Sequence, residues 1–132
     1  MARAALCGLV ALTLTGCATT QADPAARDAA ELADMIGGRS AGKAQRCIGL
    51  TSATGPTIAG TSLVYRDGRR LWVSRPIDGC PTLRGDPITI VEMTGSQLCA
   101  GDRFRTIERG GIGIPGPYCR FGPFVPWEKA RR

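Results

Sequence analysis

The residue types that could do chemistry are cysteine and arginine, because the 132-residue chain has six cysteines and fifteen arginines but no histidine. Without histidine, the chain lacks the commonest general base and the commonest metal ligand. No base can be identified that would activate a serine or threonine. Asp102, which follows Cys99-Ala-Gly, is interpreted as a turn residue that accepts backbone N–H bonds rather than as an acid. The sequence therefore predicts that the protein is not an enzyme and uses no cofactor or metal.

Cys17 ends a distinctive N-terminal segment. Arg3 precedes an apolar stretch at 4–13, and the segment closes on Leu14-Thr15-Gly16-Cys17. The stretch is too short to cross a bilayer, which takes about 20 residues, and it has the layout of a cleaved secretory signal. Its end resembles the lipobox of bacterial lipoproteins. This resemblance implies removal of 1–16 and acylation of Cys17, which anchors a protein because each buried CH₂ contributes about 0.8 kcal/mol.

The residue after Cys17 bears on the location. It is Ala18 rather than aspartate, which by analogy with lipoprotein sorting in bacteria with two membranes favours the outer membrane. We therefore expect the protein on the periplasmic face of the outer membrane, held by its lipid. An ordinary secretory signal with a chance cysteine is the alternative interpretation.

Cleavage would remove Cys7, and Cys17 would carry the lipid, which leaves four cysteines: Cys47, Cys80, Cys99 and Cys119. An even number in a small exported domain predicts disulfides. A zinc site is disfavoured, because it usually needs ligand pairs two to four residues apart. Three pairings are possible. The pairing of Cys80 with Cys99 and of Cys47 with Cys119 is favoured, since the second bridge would join the first strand to the last where a barrel closes.

The chain divides into three predicted parts: a signal peptide at 1–16, a tether with a short helix at 17–43, and a β domain at 44–132. Asp23-Pro24 is typical of a helix start and Gly37-Gly38 of a stop, which predicts a helix at 24–36. This helix is a spacer that lies against the domain or the lipid headgroups. Residues 39–43 are interpreted as a flexible joint.

The β domain has its strongest local signal at Asp67-Gly68, which separates two strand-like runs at 61–66 and 69–74. Such a dipeptide predicts a type I′ hairpin that pairs Tyr65 with Arg70. Both faces of this hairpin are apolar. With further strands predicted at 46–50, 87–93, 103–109 and 118–121, the fold is mainly β. We expect about five short strands in a small disulfide-stapled barrel or a compact antiparallel sheet.

A wider resemblance covers about 44–126. It rests on the motifs Cys47-Ile48, Leu63-Val-Tyr-Arg66, Arg69–Trp72, Cys80-Pro-Thr-Leu83, Leu98-Cys-Ala-Gly-Asp102 and Cys119-Arg-Phe-Gly122. These motifs resemble a family of small proteobacterial envelope proteins of unknown function. The resemblance implies the domain and its four cysteines, but no activity. Ser74 stands where the family pattern has asparagine.

Arginine is the residue type in this sequence that indicates a possible binding function. Arg66, Arg69 and Arg70 cluster at the predicted hairpin tip and form a candidate anion-binding patch, because guanidinium groups suit phosphates and carboxylates. In an envelope the available anions are lipid headgroups, lipopolysaccharide phosphates and peptidoglycan carboxylates. The alternative is that a GC-rich genome encodes arginine in preference to lysine. Nucleic acid is a poor candidate despite the +6 net charge, because the protein is exported.

The sequence leaves two classes of function open. The first is a structural or binding module anchored in the outer membrane, with an anionic envelope component or an unidentified protein as partner. The second is a small lipoprotein inhibitor of an envelope or host enzyme, similar in size and disulfide content to bacterial lysozyme inhibitors. An inhibitor needs a protruding loop, whereas a binding module needs only a basic surface.

Overall fold

The structure is a computed structural model that describes residues 22–50 and 55–131; Cys17 and the predicted signal peptide lie outside these ranges. The described chain is mainly β with one preceding helix, as predicted, but several strands are only two or three residues long and the total is ten rather than about five. The elements are α1 (Pro24–Ile36), β1 (Ser40–Ala41), β2 (Cys47–Ile48), β3 (Thr57–Ala59), β4 (Ser62–Asp67), β5 (Arg70–Ser74), β6 (Ile88–Glu92), β7 (Leu98–Cys99), β8 (Arg103–Ile107), β9 (Cys119–Arg120) and β10 (Phe124–Glu128).

The helix has the bounds that its end signals predict. The Asp23 side chain accepts a hydrogen bond from the Ala25 N–H at 3.1 Å, and Pro24 occupies the first turn. At the other end the Gly37 N–H donates to the Ala33 carbonyl at 3.1 Å. These contacts satisfy backbone groups that a helix end otherwise leaves without partners. The predicted helix at 24–36 is confirmed.

The strands form three antiparallel sheets. Their orders are β1-β10-β5-β4-β3, β2-β7 and β6-β8-β9. Within the described ranges no sheet closes on itself, so of the two predicted architectures the barrel is wrong and a compact antiparallel arrangement forms instead. The segment interpreted as a flexible joint contains β1, which pairs with β10 through Ser40 and Glu128.

The β4–β5 hairpin turns one residue later than predicted. Asp67 pairs with Arg70, which leaves Gly68 and Arg69 as the two turn residues. Gly68 has a φ of 56° but Arg69 does not have a positive φ, so the turn is of type II′ rather than the predicted type I′, which needs positive φ at both turn residues. Because moving a two-residue turn by one position shifts the strand partners by two, every side chain keeps its predicted face.

Both faces of this hairpin are buried, but by different elements. One face belongs to the main core, which comprises Ile48, Ile58, Leu63, Tyr65, Trp72, Leu83, Leu98, Phe104, Cys119, Phe121 and Phe124. The other face is covered by α1, in a second cluster of Leu32, Ile36, Ala59, Val64, Leu71 and Val73. The helix therefore lies against the domain and buries the apolar face that sequence analysis attributed to a barrel.

The approach of α1 to the sheet is close at the β3–β4 turn. A Cβ added to Gly60 would lie 2.6 Å from the Asp28 Cβ and carbonyl oxygen, and the φ of Gly60 is 57°. Only glycine suits this position, because any other residue would combine a left-handed conformation with a clash against the helix backbone. This contact fixes how α1 packs on the five-stranded sheet.

The two disulfides connect Cys47 with Cys99 and Cys80 with Cys119, so the pairing favoured from the sequence is wrong. That pairing assumed a barrel in which the first and last strands meet. Instead β2 pairs with β7, which places Cys47 directly opposite Cys99. The chain just before Cys80 forms a β-bridge to β9, the strand that carries Cys119. The prediction that all four cysteines form disulfides is confirmed.

Two of the sequence motifs have structural roles. Asp102 accepts a hydrogen bond from the Cys99 N–H at 2.8 Å and returns one from its own N–H to the Cys99 carbonyl at 3.0 Å. The interpretation of Asp102 as a turn residue is confirmed. Ser74 is fully buried and its hydroxyl donates to the Gly122 carbonyl at 2.9 Å. The Asp102 contacts thus close a local turn, whereas the Ser74 contact connects β5 to the chain between β9 and β10.

Candidate anion-binding site

The end of the β4–β5 hairpin lies beside the chain that leaves β10, and together they form a surface pocket of about 380 Å³. We call it the hairpin pocket. Of the described residues that line it, four are cationic and two are anionic, a formal charge of +2 among them. The lining residues are Asp67, Arg69, Arg70, Glu128, Lys129 and Arg131.

Arg70 is the member of the pocket with the most defined position. Its Cζ atom lies 5.1 Å from the centre of the Trp72 ring, and Trp72 is only 5% exposed. Its Nε atom donates to Oε1 of Glu128. A guanidinium group has five N–H donors, so Arg70 retains donors for a ligand after this ion pair forms.

The other three cations of the pocket are exposed. Arg69 lies in the hairpin turn, and Lys129 and Arg131 follow β10. None of them takes part in an ion pair within residues 22–50 and 55–131. An excess of positive over negative side chains in one pocket attracts anions.

The three arginines of the predicted anion-binding patch do not lie on the same face of the hairpin. Arg66 is the cross-strand partner of Leu71, so it lies on the face that α1 covers, whereas Arg70 lies on the opposite face. Arg69 and Arg70 line the hairpin pocket and Arg66 does not. Sequence analysis missed Lys129 and Arg131, because it did not predict β10 and therefore could not place the residues that follow it.

The arginines on and next to the three-stranded sheet are arranged differently. Three of them form ion pairs with carboxylates: Arg103 with Glu92 at 2.9 Å, Arg109 with Asp86 at 2.8 Å, and Arg120 with Asp78 at 3.0 Å. Arg105 donates to the Gly116 carbonyl at 3.0 Å and lies 4.6 Å from the centre of the Tyr118 ring. These contacts offset most of the positive charge on that sheet, in contrast to the hairpin pocket.

The arrangement in the hairpin pocket suits recognition of an anion. Guanidinium groups donate two parallel hydrogen bonds to a phosphate or carboxylate, and an ammonium group adds a point charge. Each exposed contact contributes little, with a typical worth of about 0.2–1 kcal/mol. Several such contacts to one ligand, or to a repeating anionic surface, would therefore be needed for useful affinity.

Residues 22–50 and 55–131 contain no group of three or more histidine, cysteine, aspartate or glutamate side chains that could hold a metal ion. In the same part of the chain, no helix combines the length and the apolar character needed to span a membrane.

Sequence and structure were then compared with known proteins. No family model, curated protein or solved structure matches this chain significantly, so the hairpin pocket is interpreted from its own geometry.

Proposed function

We propose that the protein is a periplasmic lipoprotein, anchored in the outer membrane through Cys17, whose β domain binds an anionic component of the envelope. The observation that carries the binding part is the hairpin pocket, where Arg69, Lys129 and Arg131 are exposed beside the fixed guanidinium group of Arg70. The anchoring part rests on the lipobox resemblance of residues 14–17.

The binding proposal is tested by removing the exposed cations of the pocket. The triple variant Arg69→Ser/Lys129→Ser/Arg131→Ser is expected to weaken retention on lipopolysaccharide or on peptidoglycan about tenfold at low salt, since three exposed contacts are lost. Wild-type retention should itself fall as salt rises, because ions screen exposed charges beyond a Debye length of about 8 Å at physiological strength. Retention is measured by co-sedimentation with each material in separate experiments.

Two control variants distinguish this site from a general effect of charge. Arg103→Ser/Arg109→Ser/Arg120→Ser removes the same number of charges from the three-stranded sheet, where each arginine is already paired with a carboxylate. Arg66→Ser removes the residue that the sequence placed in the patch and the structure places on the helix-covered face. Both controls should keep near wild-type retention. Equal losses in all three variants would show that net charge, not the pocket, determines binding.

The anchoring proposal has its own test. Cys17→Ser should abolish incorporation of labelled fatty acid and leave the precursor uncleaved at residue 17, because the serine hydroxyl cannot replace the thiol that forms the thioether. The measurement is metabolic labelling followed by membrane fractionation of wild type and variant. If the wild-type protein incorporates no labelled fatty acid, the lipoprotein interpretation is wrong. The binding proposal for the hairpin pocket would then still be tested by its own variants.

The alternative function, inhibition of an envelope or host enzyme, is favoured by one feature. Arg69 is exposed in the turn of the β4–β5 hairpin, and a cationic side chain at a turn can enter a carboxylate-lined cleft such as that of a lysozyme. The two functions differ in stoichiometry, because an inhibitor forms a one-to-one complex that suppresses activity. Lysozyme assays with the wild-type protein and with Arg69→Ser would discriminate between them.

A further inference from the structure

A second pocket lies between the inner face of β6 and the described residues that follow β2 and precede β3. Its volume is about 420 Å³, and it shares no residue with the hairpin pocket. We call it the inner pocket. None of the described residues that line it is charged. These residues are Leu50, Gly55, Pro56, Tyr65, Thr89, Val91 and Met93.

Two hydroxyl groups in this apolar lining have no hydrogen-bond partner among the described residues. Tyr65 is 3% exposed, and its hydroxyl oxygen is buried without a hydrogen bond in the described part of the chain. The Thr89 hydroxyl oxygen is buried and unpaired in the same way. Buried hydroxyl groups are nearly always hydrogen-bonded, because desolvation without a partner costs free energy. Two such groups in one pocket therefore offer hydrogen-bonding capacity that the described residues do not use.

The protonation state of Tyr65 determines whether its hydroxyl group can donate a hydrogen bond. Burial raises the pKa of Tyr65 far above its ordinary value, so the phenol stays protonated at every physiological pH. A protonated phenol can donate a hydrogen bond, and a threonine hydroxyl can donate as well. The two hydroxyl groups together suit an oxygen acceptor.

We propose that the inner pocket binds an uncharged aliphatic molecule that carries an oxygen acceptor, of the chemical class of acyl esters. The aliphatic part packs on Leu50, Val91 and Met93, and the ester carbonyl accepts from Tyr65 or Thr89. A free carboxylate is disfavoured, because none of the described lining residues is a cation that could compensate its desolvation. This site is independent of the anion site proposed above.

Access to the two hydroxyl groups requires a small rearrangement, since their oxygen atoms are buried. Met93 is the lining residue that can move at least cost. It is 43% exposed, and its side chain is unbranched with three rotatable bonds. A ligand that enters the pocket should therefore change the surroundings of the Met93 methyl group first.

The methyl group of Met93 also provides a signal by which ligand binding can be measured. The full-length Cys17→Ser protein, which carries no acyl chain of its own, is labelled with ¹³C at its methionine methyl groups and titrated with methyl octanoate. The Met93 signal should shift and saturate. Met35 is the internal control, because it lies on α1 and packs against the second cluster, so its signal should not follow. Parallel shifts of both signals, or no saturation up to the solubility limit, would overturn the proposal.

The role of the hydroxyl groups is tested with paired ligands and variants. Tyr65→Phe and Thr89→Val should each weaken methyl octanoate binding by about threefold to tenfold, the worth of one neutral hydrogen bond, and leave nonane binding unchanged. Tyr118→Phe is the matched control, because Tyr118 is exposed and its hydroxyl donates to Glu92. Loss of affinity for both ligands alike, or for neither, would refute the assigned contacts. Retained methionine spectra show that each variant is folded.

Discussion

Replacing Cys80 and Cys119 together by alanine is expected to lower the free energy of unfolding by about 4 kcal/mol. The bridge joins residues 39 positions apart, and a loop of that size restricts the unfolded chain by roughly this amount in the chain-entropy model. Because small domains are stable by only about 5–15 kcal/mol, this single change removes a large part of the total. Urea denaturation of wild type and variant, followed by tryptophan fluorescence, measures the difference.

The second bridge provides the comparison. Cys47 and Cys99 are 52 positions apart, so Cys47→Ala/Cys99→Ala should cost a similar amount. Each double variant should also retain one intact disulfide, whereas a variant that removes Cys80 and Cys99 should leave two cysteines that cannot pair in the native fold. Peptide mapping of the native protein that linked Cys80 to Cys99 would contradict the structure directly. An unchanged unfolding midpoint in both double variants would contradict the stabilising role.

Phe121→Ala is expected to lower the free energy of unfolding by about 3–5 kcal/mol, the usual cost of truncating a buried aromatic side chain. Phe121 is fully buried and lies at the centre of the aromatic core. Its ring centre is 4.7 Å from that of Phe104, 5.7 Å from that of Phe124 and 6.2 Å from that of Tyr65. Removing the ring leaves a cavity that three rigid neighbours cannot fill. Thermal and urea denaturation both report the loss.

Two further variants control for this change. Ile112→Ala also truncates a large apolar side chain, but Ile112 is 90% exposed, so its cost should stay within about 0.5 kcal/mol. Phe121→Leu keeps most of the apolar volume and should cost clearly less than Phe121→Ala. If Phe121→Ala were no more destabilising than Ile112→Ala, the aromatic cluster would not be the core of the domain.

The helix and the hairpin could be predicted because local signals determine them. Asp23, Pro24 and Gly37 define the ends of α1 through contacts within four residues in sequence. The faces of the hairpin follow from the alternation of side chains along its two strands, and this alternation is unchanged by the one-residue shift of the turn. What covers the second face could not be predicted, because the packing of α1 depends on the close approach at Gly60, which is not local in sequence.

Strand β10 was missed because it contains Pro126, and proline argues against a strand within a sheet. The Pro126 carbonyl accepts from the Gly42 N–H at 2.7 Å. In an antiparallel sheet the N–H and carbonyl of one residue point to the same neighbour, so the missing N–H faces the two-residue strand β1, where little pairing is lost. Since Lys129 and Arg131 follow β10, half of the cationic side chains in the hairpin pocket were missed with it.

The order in which the four cysteines follow one another along the chain has a consequence for biogenesis. The first pairs with the third and the second with the fourth. In a chain exported from its N-terminus, as proposed above, Cys47 and Cys80 reach the periplasm before either partner does. An oxidase that joins thiols as they arrive would link these two, and only thiol–disulfide exchange could then restore the native connections. The yield of correctly folded protein in the envelope would thus depend on a disulfide isomerase as well as an oxidase.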